Sequence, residues 1–69
     1  MKLSARNQLK GKIVSIEEGA VNAIVKVDIG NGNIITSSIS MGSVKDLDLA
    51  VGGDATAVIK ATSVMIMVD

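Results

Sequence analysis

Hydrophobic and polar positions alternate most cleanly over residues 21–29, where Val21, Ala23, Val25, Val27 and Ile29 are apolar and Asn22, Lys26 and Asp28 stand between them. A period of two predicts a strand with one face toward a core and one toward water. Ile24 interrupts the polar face and marks either a subunit contact or an isolated exposed side chain. Gly30-Asn31-Gly32-Asn33 follows, and an Asn-Gly pair between β-rich runs predicts a hairpin because both residues tolerate positive φ. The returning strand is then Ile34–Ser40. Upstream, residues 10–16 predict a first strand, and Glu17-Glu18-Gly19 the turn into the second.

After Ser40 the pattern changes. Ser43, with Asp46 three residues later, suits the start of a short helix, and Gly52-Gly53 breaks the chain beyond it. Residues 55–60 predict a fourth strand. Residues 64–68, Val-Met-Ile-Met-Val, predict a fifth that is apolar on both faces, which in so short a chain points to a subunit interface. Three strands, a short helix and two strands make an all-β protein: a five-stranded OB-like barrel with one helix between strands three and four.

Composition changes this picture in one respect. The 69 residues form a single domain (1–69) with 48% apolar residues but no aromatic residue and no cysteine. Domains this short usually need a disulfide, a metal or a partner subunit. The absence of Cys and His removes a disulfide framework, an ordinary zinc site and a Cys or His nucleophile or base. A homo-oligomer is therefore expected. Seven basic residues balance seven acidic ones, so no global field draws in nucleic acid or an anionic membrane. The segment beginning Met1-Lys2-Leu3-Ser4 has no apolar stretch of the signal-peptide kind, and no run nears the roughly 18–20 residues of a membrane span. The expected location is cytoplasmic.

Two polar clusters and one lysine stand out as chemistry. Ser4-Ala5-Arg6-Asn7-Gln8 combines a hydroxyl, two amides and a guanidinium, whose rigid fork suits anionic oxygens; a solvated arm would read the same way. Thr36, Ser37, Ser38, Ser40 and Ser43 are a dense run of hydroxyls. Of these, Ser40 and Ser43 flank the strand-to-helix turn, where backbone N–H groups and the helix dipole favour an anion. Lys60 closes the fourth strand, where a snorkelling lysine is also ordinary. Donors are plentiful and no general base accompanies them, which favours binding over catalysis.

The stretches Ser4-Ala5-Arg6-Asn7-Gln8-Leu9-Lys10-Gly11-Lys12-Ile13, Ile39-Ser40-Met41-Gly42-Ser43-Val44 and Ala57-Val58-Ile59-Lys60-Ala61-Thr62-Ser63-Val64 resemble, in order and spacing, three motifs of the molbindin (Mop) family. The resemblance covers nearly the whole chain. It implies an OB-like subunit, a hexamer built as a trimer of dimers, and molybdate or tungstate held at subunit interfaces for storage or homeostasis, with no cofactor and no catalytic residue. Position by position, it implies oxyanion ligands at Ser4, Arg6, Ser40, Ser43 and Lys60, with Ala5 and Ala61 contributing backbone N–H groups. Residue 40 is often Thr in related domains, and Ser keeps the hydroxyl. Residue 61 is Ser in some, and Ala loses it. A second class of site near symmetry axes is also implied, without residues assigned to it here.

The physical reading agrees. Molybdate at neutral pH is a dianion with four acceptor oxygens, so its shell should consist of donors with about two positive charges, as Arg6 and Lys60 supply. Other classes fit less well. An OB-like nucleic-acid or interaction module would stack bases on aromatic side chains beside a basic groove, and this chain has neither. A biotinyl or lipoyl carrier needs a lysine between methionines, and Met65-Ile66-Met67 has none.

Overall fold

The computed structural model describes residues 2–69; Met1, the first residue of the N-terminal segment read above, lies outside the described residues. Four antiparallel strands, β1 (Asn7–Glu18), β2 (Asn22–Asp28), β3 (Ile34–Ser40) and β4 (Asp54–Ile59), form one sheet in the order β3-β2-β1-β4. A helix α1 (Met41–Asp46) lies between β3 and β4, and a 3₁₀ turn covers Ala61–Ser63. The sheet curls around a small core of Ile13, Ala23, Val25, Val27 and Val44. The result is an all-β half-barrel with one short helix.

β2 follows its alternation: Ala23, Val25 and Val27 are buried, and Ile24, Lys26 and Asp28 between them are partly exposed. The hairpin forms as expected, with Asn31 at φ 55° and Gly32 at φ 77°. It is closed by Ile29 N–H donating to the Asn33 carbonyl at 2.9 Å, and Asp28 caps it by accepting from Gly30 N–H at 2.8 Å. β1 is longer than the first strand read from the sequence and takes in Glu17 and Glu18, which pair with Ile24 and Ala23. The turn is therefore displaced to Gly19 and beyond, where Gly19 N–H donates to the Asn22 carbonyl at 2.9 Å. A β-bulge between Ile13 and Ser15 shifts the register. It reverses the parity of the strand, so that Ile13 and Ile16, three apart, both join the core.

Two expectations are corrected. The helix begins three residues earlier than Ser43: its N-cap is Ser40, whose Oγ accepts from Ser43 N–H at 3.0 Å, a cap one turn ahead of the one read from Ser43 and Asp46. The fifth strand is not formed within the chain. Residues 64–68 are without strand pairing and exposed, Met65 through Val68 to 85–92%, because no edge of their own sheet is beside them. Burial also falls away from β2 toward both sheet edges. On β3 and β4 the inward residues Ile35, Ile39, Ala55, Ala57 and Ile59 are only half-buried.

Candidate anion-binding site

Pairing of β1 with β4 starts at Asn7 opposite Ile59. Asn7 also donates from Nδ2 to the Ile59 carbonyl at 3.1 Å, which ties the N-terminal arm to the end of β4. Continuing that register by one step sets Arg6 opposite Lys60, and by two steps Ala5 opposite Ala61. Gln8 Nε2 donates back to the Ala5 carbonyl at 3.0 Å and holds the arm folded over the strand start. Ser4, Arg6, Lys60 and Ala61 are exposed, and Ala5 is half-buried. Among the described residues the one ion pair is Lys12–Asp54 at 2.6 Å, so neither Arg6 nor Lys60 is neutralised by a carboxylate. Two cationic heads carried side by side, with a hydroxyl and backbone N–H groups around them, are complementary to a dianion.

Asn7 and Gln8 were not singled out from the sequence as positioning residues. Their signal was an amide pair at a strand start, which fits many surface positions equally well.

Ser40 and Ser43 form the second cluster. Ser40 Oγ donates to Ser43 Oγ at 2.9 Å while accepting from Ser43 N–H at 3.0 Å. The Ser40 proton is thus spent inside the cap, and the Ser43 proton is left to donate outward. The backbone N–H supply at this turn is smaller than the sequence suggested. Met41 N–H is already donated to the Val21 carbonyl at 2.8 Å, and Ser43 N–H to the cap.

The two clusters do not meet. Ser40 pairs with Asn22 at the end of the sheet where β1 finishes, whereas Arg6 and Lys60 lie where β1 begins. β1 has 12 residues, and at about 3.3 Å per residue that is on the order of 35 Å of strand, close to the longest dimension of the molecule, 37 Å. One chain presents the first and third sequence motifs together at one end and the second motif at the other. Among the described residues no group of three or more His, Cys, Asp or Glu side chains gathers to hold a metal ion, and no helix is long and apolar enough to cross a membrane.

A profile of the TOBE domain matches residues 3–66. The probable molybdenum-pterin-binding protein of Haemophilus influenzae is 64% identical over 69 residues, covering 100% of both chains. Among solved structures, MopII from Clostridium pasteurianum superposes with a TM-score of 0.91 at 51% identity, over 97% of this chain and 100% of that one. A molybdate-binding protein from Sporomusa ovata gives 0.90 at 37% identity, over 97% and 98%. With the profile spanning most of the sequence and relatives of the same length matching end to end, the chain belongs to the Mop family of TOBE-domain proteins.

Proposed function

We propose that this protein binds molybdate or tungstate as the free oxyanion, at sites shared between subunits of a homo-oligomer, as a cytoplasmic store or buffer without catalytic activity. The reading takes residues 1–69 as one OB-like domain and the assembly as a hexamer, a trimer of dimers. Its ligands are Ser4, Arg6 and Lys60 with the backbone N–H groups of Ala5 and Ala61 from one subunit, and Ser40 and Ser43 from a neighbour. The observation that carries it is the separation of the two donor clusters by the length of β1. Neither cluster encloses a tetrahedral anion alone, and bringing them together takes a second copy.

The ligand class follows from the donors. Every proposed group donates, none is acidic, and two carry positive charge, which matches a fully deprotonated tetrahedral dianion. The curated relative's name also mentions a pterin. This chain has no aromatic ring on which a pterin could stack, and that favours the bare oxyanion. Phosphate at pH 7 is partly protonated, and a shell of donors leaves that proton poorly paired, at a cost of about 1–3 kcal/mol. Sulfate is smaller than molybdate, so its oxygens cannot reach every donor of a rigid interface site at once.

Titration calorimetry with molybdate, followed by competition, tests this. Binding in the micromolar range or tighter is expected, undisturbed by millimolar phosphate or sulfate. Displacement by either anion would show a merely electropositive patch and defeat the assignment.

A further inference from the structure

The sheet has two free edges, the outer edges of β3 and β4. Between them opens a cavity of about 500 Å³, with Ile35 and Ile39 on one wall, Ala57 and Ile59 on the other, and Val25 and Val27 as its floor. The chain also ends in an extended apolar segment, residues 64–68, that touches no strand. In water both features are unfavourable: a free edge is a template for another strand, and a contiguous apolar stretch exposed to this degree marks a contact surface.

We infer that residues 64–68 are a strand donated to a second copy of this chain, where they lie between β3 and β4 and close that copy's sheet, and that the second copy donates its own segment in return. Length and chemistry agree. Five residues span roughly 17 Å, against edges of seven residues in β3 and six in β4. The segment is Val-Met-Ile-Met-Val, without Pro, Gly or charge, and the cavity walls named above are aliphatic. Reciprocal donation is self-complementary, as a two-fold dimer requires.

The connector sends the segment away from its own sheet. Ser63 N–H donates to the Lys60 carbonyl at 2.8 Å and Val64 N–H to the Ala61 carbonyl at 3.2 Å. This closes a 3₁₀ turn that releases Val64 in extended conformation, at φ −95° and ψ 125°. The same turn carries Lys60 and Ala61. On the oxyanion reading above, docking of the donated strand therefore fixes the turn that holds two ligands, and anion occupancy and strand exchange stabilise one another.

The chain contains no cysteine, so introduced thiols report cleanly. Full-length Ile66→Cys carrying one tag is co-expressed with single-cysteine variants carrying another, at Ile35, Ile39, Ala57 or Ile59, and oxidised. The expected result is a disulfide joining the two tags for at least one β3 and one β4 position. The double variant Ile66→Cys/Ala57→Cys should give chains linked to each other. A disulfide closed within one chain, or none between tags across the whole panel, would overturn strand donation. These readouts need no anion and hold whether or not the oxyanion reading survives. The coupling is read separately, from the rate at which wild-type subunits with different tags exchange. Millimolar molybdate should slow exchange at least about tenfold; an unchanged rate in protein that calorimetry shows to be loaded would overturn the coupling alone.

Discussion

Replacing Gly11 by Ala should be the most damaging single-methyl change in the molecule. A Cβ built at this position lies 2.2 Å from the Asp28 carbonyl oxygen, 2.8 Å from its carbon and 2.9 Å from Val27 Cγ1. Two of those three atoms are backbone, so no change of rotamer relieves the contact, and β1 must move away from β2 by about an ångström to restore ordinary separation. Overpacking alone costs about 1–3 kcal/mol, and loosening two ladder hydrogen bonds adds about 0.5–1.5 kcal/mol each. A loss of about 4 kcal/mol is expected, against a total of about 5–15 kcal/mol for a typical domain. At about 4–8 °C per kcal/mol for a chain of this size, Tm should fall by about 15–30 °C. Far-UV circular dichroism is the suitable probe, since the chain has no aromatic residue, and protein concentration must be held fixed because Tm of an oligomer depends on it. Gly42→Ala is the control: its Cβ meets only Ser40 Oγ at 3.7 Å inside α1, and it should gain about 0.5–1 kcal/mol. A Gly11→Ala protein melting within a few degrees of wild type would refute the close approach of β1 and β2.

Arg6→Ala and Lys60→Met should each remove a charge-assisted contact of about 1.5–3 kcal/mol, lowering molybdate affinity by about ten- to a hundredfold in calorimetry; unchanged affinity in both variants would remove these residues from the site. Molybdate should raise Tm of the wild-type protein, because it binds only the assembled folded state, and should do so less in either variant. The hydrogen bond and the charge of Lys12 hold the Asp54 carboxyl below its ordinary value of 3.8. The folded form thus has the lower pKa, and the contribution is present above 3.8 and lost as pH falls through the folded value. Both partners are largely exposed, so the effect is small: Asp54→Asn should lower Tm slightly at pH 6 and converge with wild type near pH 3. A gap that persists at low pH would contradict this assignment.

The central part of the fold was legible because its signals are local. Alternation in β2 and the Asn31-Gly32 pair act through side-chain parity and positive φ, and both hold in the structure. What was not legible depends on partners. Glu17 and Glu18 look like turn residues until Ala23 and Ile24 are seen to pair with them. Ile13-Val14-Ser15-Ile16 suits neither parity alone, and the bulge that resolves it is visible only against β2. Ser40 and Ser43 are both capping residues by type, and only the chain path shows that the first caps the helix. Residues 64–68 have the composition of a strand, but a strand needs an edge, and their own chain turns them away from one. The candidate site divides along the same line. Its residues could be named from three motifs, whereas the distance between the motifs is set by the length of β1 and by pairing at both of its ends.

The claim that each oxyanion site is assembled from two subunits is tested most directly by complementation. One chain carries Arg6→Ala and Lys60→Met. The other carries Ser40→Asp, which keeps a good helix cap while setting a carboxylate against the anion. Calorimetry should find little molybdate binding to either protein alone. When the two are co-expressed and purified through separate tags as mixed oligomers, sites that take Arg6 and Lys60 from one chain and Ser40 and Ser43 from the other are intact, about a quarter of all sites for random mixing. Recovery of near-wild-type affinity at that reduced stoichiometry is the expected result. Mixed oligomers that bind no better than their parents would mean that all the ligands come from one chain, contradicting the shared site.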